Sequence, residues 1–145
     1  MGDFLRFLAI QDCDLTLIAL ESLFRRRDSQ FSIRVEAAAP TNGELLHGSS
    51  VLADIEINRP GEQIFDEDIT DLIEMLEGID EAGDRVVARL GMVKIMVALQ
   101  LTEEGHASFD LIDPLWDLLF ETCDGLLQVD DEGYYDSEGV VLALD

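Results

Sequence analysis

The segment VKIMVALQLT, residues 93–102, constrains the fold more tightly than any other stretch. Val93, Ile95, Val97, Leu99 and Leu101 recur at period two and so line one face of a β-strand. The opposite face mixes Met96 and Ala98 with Lys94 and Gln100. A strand apolar on one face and half apolar on the other is expected at the centre of a sheet, where both faces are covered.

The remaining strands are placed around it. FLRFLAI, residues 4–10, is a first strand. FSIRVEAAA alternates Phe31, Ile33, Val35 and Ala37 against Ser32, Arg34 and Glu36, and SSVLADIEIN repeats the pattern with Val51, Ala53, Ile55 and Ile57. Between them PTNGELLHG carries Pro40, Asn42, Gly43 and Gly48, so the two strands are expected to form a hairpin with a long loop. LLQVD closes the main sheet, and VVLAL near the C-terminus adds an edge.

Four segments read as helices. In DLTLIALESLFRRR, Asp14 is expected as the N-cap, with Arg25, Arg26 and Arg27 at the negative end of the helix dipole. Glu21 is spaced to pair with Arg25. DEDITDLIEMLEG places Ile69, Leu72, Ile73 and Leu76 at helical spacing, and DEAGDRVVARLG adds a second piece, the two separated at Gly78 and stopped at Gly91. In DPLWDLLFETCDG, Asp113 is expected as N-cap, Pro114 at the first helical position and Gly125 past the end. The order is β-α-β-β-α-β-α-β. It predicts an α+β fold over residues 1–145 as one domain: a mostly antiparallel sheet with helices on one face, ferredoxin-like or a close variant.

Charge narrows the partners. The net charge of -23 is unevenly spread: residues 1–39 hold six acids and five bases, residues 40–102 thirteen acids and four bases, and residues 103–145 thirteen acids and no Lys or Arg. At 48% hydrophobic residues the chain has enough apolar surface to fold, so the charge belongs to the surface and not to disorder. Such a field repels nucleic acid and anionic lipid and attracts basic proteins. MGDFLRFLAI is interrupted by Asp3 and Arg6 and does not read as an export signal, and no apolar run reaches membrane-spanning length. With Cys13 and Cys123 the only cysteines, the expectation is a cytoplasmic protein with reduced thiols, a disulfide between them remaining open.

A first strand running into DCDLTLIALESLF, the acidic helix pair DEDITDLIEMLEGIDEAGDRVVARLG, the strand VKIMVALQLT, and SFDLIDPLWDLLF leading into GLLQVD together cover most of the chain. In these features the chain resembles a bacterial family known as a domain of unknown function, relatives of which are discussed as immunity proteins of polymorphic toxin systems. The resemblance lies in hydrophobicity and turns, so it implies a binding role and transfers no functional residue.

DDEGYYDSEG, residues 130–139, supplies hard oxygen ligands, but placing Gly133 or Gly139 at the sixth position of a calcium loop puts Gln128 or Tyr134 at the first, where a carboxylate is required. Cys13, His47, His106 and Cys123 lack the paired spacing of a zinc site, and the histidines read as loop residues. No nucleophile elbow or phosphate loop is present, and Asp12 and Asp14 oppose a thiolate at Cys13. No cofactor and no catalytic residue is therefore expected, and the chain reads as a non-enzyme. Trp116 with Leu115, Leu118, Leu119 and Phe120 reads as core. The expected partner-binding surface is Asp130, Asp131, Glu132, Tyr134, Tyr135 and Asp136, with the two tyrosines as anchors against Arg or Lys. The alternative is a homo-oligomeric structural or regulatory domain, with the arginine run of one copy meeting the acidic face of a second in a homodimer.

Overall fold

The computed structural model describes residues 3–144. Its elements run β1 (Phe4–Ala9), α1 (Leu17–Arg27), β2 (Phe31–Glu36), β3 (Ala39–His47), β4 (Ser50–Asn58), α2 (Gln63–Met75), α3 (Glu81–Leu90), β5 (Ile95–Leu101), α4 (Glu103–Ala107), α5 (Phe109–Thr122), β6 (Gly125–Val129), β7 (Gly133–Asp136) and β8 (Gly139–Ala143). All eight strands join one antiparallel sheet in the order β2-β3-β4-β5-β1-β6-β7-β8. The architecture is α+β, as expected. VKIMVALQLT supplies β5, which lies between β4 and β1 with every residue but Gln100 buried.

Alternation along the strands divides the core in two. Phe7 and Val97 join one cluster, with Leu17, Leu20 and Phe24 of α1 and Ile112, Leu115, Trp116 and Leu119 of α5. Leu8 and Met96 join the other, with Phe65 and Leu72 of α2 and Val86 and Leu90 of α3. Helices therefore cover both faces, which corrects the expectation of helices on one face. The cause lies in the second face of the central strands: Met96 and Ala98 beside Leu8 and Leu126 form an apolar stripe that only a second helical layer removes from water.

The element order also differs from the sequence-based one. PTNGELLHG is not a loop; most of it forms β3, so β2, β3 and β4 are a three-stranded meander. The turn-forming Gly43 is there for close approach, since a Cβ on it would stand 2.7 Å from the Arg34 carbonyl oxygen. Thr16, not Asp14, caps α1: its hydroxyl accepts from the Ala19 N–H at 3.1 Å, while Asp14 sits at φ 53 in the turn before it. Glu21 does not pair with Arg25 among the described contacts; its carboxylate accepts the Ile33 N–H of edge strand β2 at 2.7 Å and so blunts that edge. α5 starts at Phe109, so Pro114 lies inside the helix and Asp113 is a helical residue on its exposed side.

Candidate functional site

The expected partner-binding residues fall on the β6–β7–β8 meander, and the structure separates them. Asp130 is half-buried and tied to its neighbours: its carboxylate accepts from the Arg6 guanidinium at 2.9 Å and from the Gln128 amide at 2.7 Å. Arg6 also donates to Gln128 at 2.8 Å and reaches Asp68 of α2 at 3.4 Å. Tyr134 is 1% exposed and packs with Leu8, Leu126 and Leu142, and burial pushes its phenol up to about 12. It is a core residue and not a surface anchor, because alternation from Gly133 turns it under α2 and α3. Gly133 itself, at φ 141, lies so close to β8 that a Cβ would stand 2.0 Å from the Leu142 carbonyl oxygen.

The other four behave as surface groups. Asp131 is an exposed turn residue at φ 65. Asp136 accepts from the backbone N–H groups of Glu138 and Gly139 at 2.8 and 3.1 Å and closes the last turn. Tyr135 is half-buried and donates to Glu132 at 3.3 Å; burial, then the Glu132 charge, raises its phenol above the ordinary range. Glu132, Tyr135 and Asp136 line a groove of about 290 Å³ between α5 and the meander. Phe109, Trp116 and Phe120 of α5 form its aromatic wall, and Asp113 and Asp117 stand with Glu132 and Asp136 as its carboxylates. No Lys or Arg lines it. Trp116 is core, as expected, at 3% exposed, and its buried indole N–H has no acceptor among the described residues. Asp113 and Asp117 were missed in the sequence because a helix starting at Asp113 hides their i, i+4 relation on a face that meets Tyr135.

A second concavity lies across the sheet. On the face carrying α2 and α3, the β2–β4 half has no helix over it, and an open hollow of about 700 Å³ remains. Arg34, Glu44, Asp54 and Gln100 lie in one cross-strand row, Arg34 opposite Glu44, Glu44 opposite Asp54 and Asp54 opposite Gln100. Arg34 pairs with Glu44. Glu56, opposite Ala98, is partly buried, and burial followed by the neighbouring Asp68 charge holds its carboxyl above the ordinary glutamate range. The period-two exterior of SSVLADIEIN marked Asp54 and Glu56 as one face, but nothing in the sequence said that this face lacked a cover.

Further polar tethers lie away from both concavities. Arg59 donates to both Asp12 oxygens at 2.8 and 3.2 Å and to the Leu15 carbonyl at 2.7 Å, and this guanidinium holds the Asp12 carboxyl below the usual range. His47, at the end of β3 and not in a loop, contacts Asp28 at 2.9 Å and lowers its carboxyl. His106, in α4, contacts Asp3 at 2.8 Å. Cys13 and Cys123, expected as reduced thiols, are joined by a disulfide that ties the turn before α1 to the end of α5. No group of three or more His, Cys, Asp or Glu among the described residues is placed to hold a metal ion, and no described helix is long and apolar enough to cross a membrane. No protein family, curated protein or solved structure matches the chain.

Proposed function

We propose that this chain is a non-enzymatic acidic binding protein that engages a basic protein, in the manner of a bacterial immunity protein neutralising a basic toxin. The observation that carries the proposal is the α5–meander groove, with aromatic walls and carboxylates but no cation of its own. A Lys or Arg side chain entering it would meet the Phe109, Phe120 and Tyr135 rings and the charges of Asp117, Glu132 and Asp136. The net charge of -23 would steer such a partner in from a distance.

The central β4-β5-β1-β6 strands with α1 and α5 on one face support a ferredoxin-like core carrying added strands and a second helical layer. The proposal keeps a cytoplasmic place of action, in line with the basic partner it would meet there, and the Cys13–Cys123 disulfide is the observation that weighs against it. Thiol alkylation at lysis followed by a non-reducing gel tests that placement, and a pre-formed disulfide rejects it.

The test of function is a low-salt pull-down eluted with a salt gradient, followed by association kinetics on what is captured. One stoichiometric basic protein, with an association rate reduced about tenfold or more by Asp117→Lys with Asp136→Lys, supports the binding role. An empty bait with a stable homodimer in sedimentation favours the homo-oligomeric alternative. Asp130 is left unchanged in these variants because its loss would unseat Arg6.

A further inference from the structure

We infer that the open half of the sheet, over β2, β3, β4 and β5, is a docking bed for a basic α-helix contributed by the partner protein; this rests on the basic-partner proposal above and adds the form of the partner and the place it lies. The same sheet face is covered by α2 and α3 over its other half, so the bare half is a vacant position in a helical layer. Its width suits one helix. From β2 to Gln100, the one exposed residue of β5, the bed spans about 14 Å at roughly 4.8 Å per strand, against about 10–12 Å for a helix with its side chains.

Charge fixes the kind of helix. Glu44 and Asp54 stand directly opposite each other on neighbouring strands, an arrangement that destabilises a sheet. Arg34 compensates Glu44, but no ion pair serves Asp54 or Glu56 among the described residues. Glu56 is also partly desolvated beside Asp68. A Lys- and Arg-rich face laid into this bed relieves the Glu44–Asp54 repulsion and brings a cation to Glu56, whose desolvation the Asn58 side chain and the Arg6 charge offset only in part.

The bed also selects a helix over an extended strand. β3 and β4 are hydrogen-bonded on both sides, so a segment lying on them meets side chains alone and must satisfy its own backbone. A helix does so internally. The arginine run of α1 from a second copy is the weaker occupant, since two chains of net charge -23 repel each other before any local contact forms.

The experiment is an amide-shift titration of the isotopically labelled full chain with a designed Lys/Arg-rich amphipathic helical peptide, and with a peptide of the same composition interrupted by prolines. The expected result is shifts clustered at Arg34, Glu44, Asp54, Glu56 and Gln100, with the helical peptide binding about tenfold more tightly than the interrupted one. Asp54→Asn with Glu56→Gln should weaken it about tenfold, while Glu103→Gln with Glu104→Gln, which removes two charges from exposed positions outside both the bed and the groove, should leave it unchanged. Each pair exchanges carboxylates for near-isosteric amide side chains, and melting curves confirm that each variant folds. Shifts confined to the α5–meander groove, or equal affinity for the two peptides, overturn the docking bed while leaving the basic-partner proposal standing. Shifts on these strands that depend on protein concentration without peptide assign the bed to a second copy and overturn the inference. The basic-partner proposal fails separately, if no basic protein is captured in the pull-down.

Discussion

On the sheet face that carries α1 and α5, buried apolar side chains run without a break from Phe31 on β2 to Leu127 on β6; on the face that carries α2 and α3 they run from Leu142 on β8 and stop at β5. Beyond β5 the second face turns polar, with Asp54 and Glu56 on β4 and Glu44 on β3. One sheet thus has a face with a continuous apolar core, notched only where the α5–meander groove opens, and another divided between core and open surface. Substitution costs should follow that division. Large losses belong to the continuous face, intermediate ones to the boundary, and changes on the open half should cost nothing or stabilise.

The largest effect expected is reduction of the disulfide that ties the continuous face together. Cys13 and Cys123 are 110 residues apart in sequence, and loop-closure entropy puts the loss near 4–5 kcal/mol. Urea unfolding with and without reductant measures it. A loss below about 1 kcal/mol would show that the α1–α5 layer is held by packing alone. Next is Phe7→Ala. Phe7 is fully buried and meets Phe120 edge-on at 5.3 Å between ring centroids, so truncation should cost about 3–5 kcal/mol. A much smaller cost would mean that the continuous face collapses to fill the space.

Arg6 marks the boundary between the halves of the divided face. Its side chain is 12% exposed and holds Asp130 and Gln128 of the meander while reaching Asp68 of α2. Arg6→Met leaves those acceptors short of a donor and should cost about 1–3 kcal/mol. Amide exchange should rise first in β6 and β7, the strands Arg6 secures. Uniform exchange across the sheet would argue that the boundary is not a separate unit.

What could be read in advance follows the same division. The continuous face was legible because period-two and period-3.6 patterns record burial directly: Phe31 and Ile33, Val97 and Leu99, and Trp116 among its leucines all lie where their spacing put them. The divided face was not. Met96 and Ala98 are too few to show in sequence that a second helical layer is needed, and Pro40, Asn42 and Gly43 hid β3 behind turn-forming residues. Tyr134 and Tyr135 were indistinguishable as neighbours in an acidic run. Only strand register, with Tyr134 opposite Leu142 and Tyr135 beside the groove, sends one to the core and leaves the other at the surface. The partners of Arg6 and Arg59 come from strands and turns far apart in sequence, which no local pattern reports.

The smallest effect is a pH dependence whose sign distinguishes the open half from the rest. Glu56 is held above its ordinary range in the folded chain, so folding binds its proton more tightly than the unfolded chain does. Its contribution to stability therefore grows as pH falls through the raised folded value and is complete below the ordinary glutamate range. Asp12 and Asp28 have the opposite sign: held low by Arg59 and His47, they contribute above the ordinary aspartate range and lose that contribution as pH falls through their depressed values. The melting temperature should first rise on mild acidification from neutrality and then fall in stronger acid. Relief of general acidic repulsion adds to the rise, so the informative quantity is the difference between the native chain and Glu56→Gln. The variant should melt higher at neutral pH, and the gap should close as Glu56 takes up its proton. A gap that stays constant with pH would mean that Glu56 is solvated in the fold, and that the open half carries no electrostatic penalty for a basic helix to relieve.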